Sequence, residues 1–93
     1  MGRQAFGEAR ENHVVNYRIL YFASLRDASG RDAEEIASDT RDARQLYREC
    51  KQRHGFALDA DRLRMALNGE FANWDRPLQN GDEIAFLPPV SGG

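Results

Sequence analysis

One segment of this chain, Ala43 to His54, has a sustained helical period, and it constrains what everything around it can become. Apolar residues fall at Ala43, Leu46, Tyr47 and Cys50, the i, i+3, i+4, i+7 spacing of a helix with one buried face. Asp42, with Gln45 three residues on, is a capping-box-like start, Arg and Lys crowd the last turn, and Gly55 stands where a left-handed C-terminal cap belongs. With a single helix, the other apolar segments must form a sheet for it to cover. Tyr17 to Phe22 alternates, and because Arg18 is costly to bury, the Tyr17/Ile19/Tyr21 face points inward and Leu20 and Phe22 are left partly exposed. A polar loop ending in Ser29 and Gly30 leads to a weakly alternating return strand, Ala33 to Ala37, with Glu34 and Ile36 on one face. Leu63 to Leu67 and Glu70 to Asn73 flank the hairpin dipeptide Asn68-Gly69. Asp75 to Leu78 is a turn containing Pro77, and Asn80-Gly81 turns the chain into a last strand, Glu83 to Leu87. In that strand Ile84 and Phe86 share one face and Glu83, Ala85 and Leu87 the other.

The order β, β, α, β, β, β predicts an α+β fold, a mixed sheet with one main helix packed across it, which is the order of the β-grasp, ubiquitin-like roll. Residues 1–15 mix glycine, charge and small side chains without a period and read as a flexible N-terminal extension; the domain covers 16–87, and 88–93 form an extended tail. Thirteen basic against fifteen acidic residues give a net charge of −2, which leaves no electrostatic footprint for nucleic acid or an anionic membrane. No run approaches the length of a membrane span and the start has no hydrophobic export signal, so a cytoplasmic location is expected. The lone Cys50 cannot form an intramolecular disulfide, in keeping with a reducing compartment. All the basic residues but Lys51 are arginine.

The tail carries the chemistry. Pro88 and Pro89 lack N–H groups and fix φ, so they end the last strand and launch the chain outward. Six residues at roughly 3.3 Å each reach about 20 Å, enough to enter another protein's active site while the domain stays outside. Gly92 and Gly93 have no β-carbon and can thread a channel too narrow for a side chain. The reactive group is then the terminal carboxylate, with a pKa of about 3.5 and poor electrophilicity at neutral pH. Conversion to an acyl-adenylate supplies a leaving group, after which sulfur yields a thiocarboxylate and an amine yields an amide. A diglycine end alone is weak evidence, arising by chance in roughly one chain in two hundred at ordinary glycine usage. Its weight comes from the Pro-Pro launcher and a domain of suitable order and size.

The stretch Asn68 to Gly93, NGEFANWDRPLQNGDEIAFLPPVSGG, resembles the C-terminal half of the MoaD/ThiS ubiquitin-like family, in particular the small sulfur-carrier subunit of molybdopterin synthase. The specific pieces are DRPLQNGDE and FLPPVSGG; upstream, YRILYFASLRDASG is similar to that family's first strand and following loop. The resemblance covers roughly Asn16 to Gly93 and leaves Met1 to Val15 outside the pattern. It implies that Gly93 is adenylated by an E1-like adenylyltransferase/sulfurylase using ATP and then carries sulfur as a thiocarboxylate. It implies as partner the large subunit of molybdopterin synthase, whose active site receives the tail (Pro88, Pro89, Val90, Ser91, Gly92) and holds the acid and base groups. Two sulfur transfers to cyclic pyranopterin monophosphate then build the dithiolene of molybdopterin, in a synthase that in this family has two small and two large subunits. It also implies an apolar docking patch at Phe22, Phe71 and Leu87, where the alternation had independently left Phe22 and Leu87 outward, and a pairing of Arg26 with an acidic partner residue.

Other signals weigh less. Cys50 and His54 at i and i+4 supply two metal ligands at most, so no metal site is expected, and they read as a core thiol and a surface histidine. Asp59/Asp61 and Asp82/Glu83 are turn carboxylates. With no Walker loop or dinucleotide fingerprint, no bound cofactor is expected and ATP belongs to the activating enzyme. Three rivals stand beside the sulfur carrier of molybdenum cofactor synthesis. One is a carrier for thiamine or another thiolation pathway, against which Pro88-Pro89 argues. The others are a ubiquitin-like modifier conjugated to lysines and an interaction module with an inert tail.

Overall fold

Strand formation begins where branched and aromatic side chains alternate with polar ones. In the computed structural model, which describes residues 14–89, β1 runs Val15–Tyr21 with every second side chain buried. The rest of the extension and Val90, Ser91, Gly92 and Gly93 lie outside the described residues. Val15 corrects the extension's boundary: it pairs with Ser38 and is buried in the core, because its parity matches Tyr17 and Ile19. Then come α1 (Ala23–Ser29), β2 (Ala33–Ser38), α2 (Ala43–His54), a 3₁₀ turn at Ala60–Arg62, β3 (Arg64–Leu67), β4 (Glu70–Ala72) and β5 (Glu83–Leu87).

The sheet order is β2-β1-β5-β3-β4, with β1 and β5 parallel at the centre and the other pairs antiparallel. Ile19 lies opposite Ile84 and Tyr21 opposite Phe86, so the expected inward faces of β1 and β5 coincide. Against them α2 lays Ala43, Leu46, Tyr47 and Cys50, all buried. This is the β-grasp roll. Tyr47 is central to the core: its ring lies 5.0 Å edge-on from Phe86 and 6.0 Å stacked from Phe56, and its hydroxyl donates to the Leu58 carbonyl at 2.7 Å.

Helix α2 has the bounds its sequence signals predict. Asp42 accepts a hydrogen bond from the Arg44 N–H at 3.0 Å, and Gly55, at φ 73°, donates to the Lys51 carbonyl. Only half of the capping box forms, since Gln45 accepts from Arg48 and the Asp42 N–H goes to Thr40 Oγ1. Replacing Asp42 with Ala therefore lowers stability by about 1 kcal/mol; urea unfolding reads this as a lower midpoint at unchanged slope, and an unshifted midpoint removes the cap from the account.

The segment 23–30, expected to be a polar loop, is α1. Its seven residues bury only Leu25, too few for a visible period, and Phe22 at its N-cap makes no side-chain bond. Phe22 thus belongs to the junction rather than to β1. The strands flanking the first Asn-Gly are shorter than expected, because Leu63 caps the 3₁₀ turn and Asn73 lies past the last bridge. The hairpin itself is as expected, with φ of 53° at Asn68 and 90° at Gly69, both positive as a type I′ turn requires.

Candidate functional site

Because side chains alternate across each strand, the residues opposite the helix layer are fixed by register. Leu20 lies across from Ala85, Ala85 from Ala66, and Ala66 from Phe71, an apolar row crossing four strands on the outer face. With Phe22 and Leu87 the row lines a shallow depression of about 290 Å³. Phe22 and Phe71 are exposed, Phe71 by 67%, and the Arg64 guanidinium lies 5.2 Å over the Phe71 ring. At the other end of β1 the same face is charged, where Arg18 lies 3.7 Å from Glu35 and 3.6 Å from Glu83. The expected patch residues Phe22, Phe71 and Leu87 are therefore brought together. Leu20, Ala66 and Ala85 complete the patch; parity in β1 and β5 signalled Leu20 and Ala85, whereas Ala66 needed the strand order.

The tail leaves from this face. β5 ends at Leu87, and Pro88 and Pro89 follow it outside the ladder, beside a second depression of about 600 Å³ that Phe71, Leu87, Arg62 and Arg64 also line. Arg26 lies on α1, exposed, with Nε 3.8 Å from Asp32, and is not among the residues lining either depression.

A second cluster of polar groups centres on a carboxylate that is closed to solvent. The Glu34 carboxylate, with 4% of its side chain exposed, accepts from the Tyr21 hydroxyl at 2.7 Å and from Arg31 at 3.1 Å, and lies 2.8 Å from His54 Nε2. This corrects the reading of His54 as a surface histidine: only 12% of its side chain is exposed, because the Tyr21 and Phe56 rings close over it. Burial alone raises the Glu34 carboxyl, but the hydrogen bonds from His54 and Tyr21 and the charges of His54 and Arg53 outweigh it and hold the group below its ordinary value. The same enclosure raises the Tyr21 hydroxyl.

Cys50 is the core thiol expected, pushed up to about 11 chiefly by burial, with the Tyr21 hydrogen bond opposing. From the ordinary 9.0 to about 11, the thiolate fraction at pH 8 falls about a hundredfold. Iodoacetamide is expected to label the native protein at least that much more slowly than the urea-unfolded chain; equal rates would mean an accessible thiol. Among the described residues no group of three or more His, Cys, Asp or Glu side chains is placed to hold a metal ion, and no helix is long and apolar enough to cross a membrane.

Comparison with known proteins adds to this geometry. The model of the ThiS family matches residues 19–93. The molybdopterin synthase sulfur carrier subunit of Escherichia coli is 42% identical over 79 residues, covering 82% of this chain and 98% of that protein. Among solved structures, SAMP1 of Haloferax volcanii superposes with a TM-score of 0.70 at 25% identity, covering 84% of this chain and 99% of that one. The complex of subunits 1 and 2 of the molybdopterin-converting factor from Helicobacter pylori gives 0.60 at 25% identity, covering 85% and 100%.

Proposed function

The chain belongs to the ThiS family, and on that premise we propose that it is a sulfur carrier in molybdenum cofactor biosynthesis, the small subunit of a molybdopterin synthase. The observation that carries this reading is the 42% identity to the Escherichia coli sulfur carrier along nearly all of that protein's length, with a family match that runs through Gly92 and Gly93. An E1-like enzyme spends ATP to adenylate the Gly93 carboxyl; the outer sulfur of a persulfide attacks the acyl carbon and AMP leaves, and a thiol then cleaves the S–S bond of the acyl disulfide, leaving a thiocarboxylate and a disulfide. The tail from Pro88 onward then enters the active site of the large subunit and donates its sulfur to cyclic pyranopterin monophosphate. The chain supplies the donor atom, and the large subunit supplies the acids and bases. The reaction belongs to the cytoplasm, where the activating enzyme finds its ATP.

The outer-face patch is the docking surface for the large subunit. It is apolar, exposed and continuous with the root of the tail, so docking there aims the tail into the partner. Arg26, on α1 and outside both depressions, pairs with an acidic group of the partner in this reading. Phe71→Arg is expected to weaken binding to the large subunit by tenfold or more, measured by calorimetry, with no change in unfolding midpoint because Phe71 is exposed. An unchanged Kd would remove β4 from the interface.

The test of the function is intact-mass spectrometry after incubation with the activating enzyme, ATP, a persulfide sulfur source and a thiol reductant. Replacement of one oxygen by one sulfur is the expected increment. No increment, with the enzyme shown active on another carrier, overturns the sulfur reading.

A further inference from the structure

An activated C-terminal acyl group is an electrophile toward every amine it meets, including those of other copies of the chain. Aminolysis requires an unprotonated amine: its nitrogen attacks the acyl carbon, a C–N bond forms, the bond to AMP breaks, and the nitrogen's surplus proton goes to water. An arginine guanidinium cannot lose its proton in this range and does not compete. Of the thirteen basic side chains, Lys51 alone is an amine, although lysine is ordinarily among the commonest residues.

Lys51 is also engaged. It sits in the last turn of α2 with about a third of its side chain exposed, and its Nζ hydrogen-bonds Asp59 Oδ1. The Asp59 carboxylate is ionised at neutral pH and so pairs with the ammonium, and that contact holds its carboxyl below the usual range. Attack from Lys51 requires the side chain to leave Asp59 and then to lose its proton. Moreover α2 covers the inner face of the sheet, whereas the apolar depression and the root of the tail lie on the outer face. A partner seated on that outer face keeps the helix layer on its far side.

We infer that the chain is an acyl donor whose own side chains do not capture the acyl group, because all its basic side chains but one are arginines and its single lysine is held by Asp59. This rests on the activation of the C-terminal carboxyl proposed above. It makes sulfur, rather than a neighbouring copy's side-chain amine, the nucleophile that captures the activated glycine, and it confines any side-chain adduct between copies to Lys51.

The test uses the full chain carrying a C-terminal thioester, so that it does not depend on the activating enzyme, whose action the mass experiment reads separately. With the N-terminal α-amine acetylated in every chain, so that only side-chain amines remain, the wild-type thioester is expected to hydrolyse and remain monomeric by intact mass on incubation at neutral pH. A chain with Arg48→Lys, Arg53→Lys and Arg76→Lys, all exposed positions, is expected to give at least twofold more covalent dimer. In the same triple variant, N-hydroxysuccinimidyl acetate should label Lys51 about threefold more slowly than the introduced amines, the size of effect an exposed ion pair provides. Asp59→Asn should remove that difference. Equal dimer yields from the two chains, or a Lys51 labelled as fast as the introduced amines, overturns the inference.

Discussion

Deletion of Gly93 is expected to abolish sulfur loading and to leave the domain as stable as before. In the proposed reaction the reacting carbon is that of Gly93, and removing the residue draws the carboxyl back by roughly 3.3 Å from wherever an activating enzyme holds its ATP. Displacements near 1 Å already cost on the order of a hundredfold when reacting atoms must lie within about 3.5 Å of each other. The truncated chain is therefore expected to show no oxygen-to-sulfur increment, and its rate of adenylate formation should fall by at least about a hundredfold. Among the described residues the buried core ends at Phe86, one position before the last residue of β5, so the urea midpoint should not move. Loading that survives the deletion would mean that the activated group is not the Gly93 carboxyl. A lowered midpoint would mean that the loss was one of folding, and the variant would no longer speak to chemistry.

How far the sequence disclosed this arrangement depends on whether each signal is local. Helix α2 could be bounded to the residue because its determinants are its neighbours: Asp42 and Gly55 act within one turn of the helix they close. The hairpin at Asn68-Gly69 is equally local, since two positive φ values are a property of the dipeptide. Helix α1 was hidden because it buries one side chain, so its helical state is set by the packing of Leu25 and by the left-handed Gly30, whose N–H returns to the Arg26 carbonyl. The apolar outer-face patch was half legible. Alternation in β1 and β5 left Phe22 and Leu87 outward, but Phe71 rested on resemblance alone, because three residues of β4 carry no usable period and only the register opposite Ala66 places its ring.

The buried cluster around Glu34 was not legible as a cluster. Alternation put Glu34 on the face of Ile36, but its partner His54 lies 20 residues further on and Tyr21 lies 13 before it, on elements whose relative placement is tertiary. A charged residue on the apolar parity of an edge strand is the signal to follow. It calls for partners, and the topology of the roll brings Tyr21 from β1 and His54 from α2 to the same point.

That cluster makes Glu34→Ala the most destabilising polar substitution expected in the chain. The variant leaves the Tyr21 hydroxyl and the His54 ring buried without their acceptor, and breaking a buried, hydrogen-bonded charge pair from one side costs about 3–5 kcal/mol. For a domain of this size, each kcal/mol is worth about 4–8 °C in Tm, so a fall of at least about 12 °C is expected. The cost should be largely relieved when the partners are removed together, with His54→Leu and Tyr21→Phe added to Glu34→Leu, because apolar groups of similar shape need no acceptor. Recovery in this triple variant separates loss of polar pairing from loss of packing; persistent instability would assign the effect to packing. Acid provides an independent reading with a definite sign. The Glu34 carboxyl is held below its ordinary value of 4.5 in the folded protein, so the unfolded chain takes up the proton first. Its contribution is complete above about pH 4.5 and is lost as pH falls through and below that value. Asp59 shifts in the same direction through its contact with Lys51, so the wild-type curve alone does not isolate Glu34. The difference in stability between wild type and Glu34→Gln does: it should shrink steadily as the pH is lowered below about 4.5. A difference independent of pH over that range would mean that Glu34 is not ionised in the core.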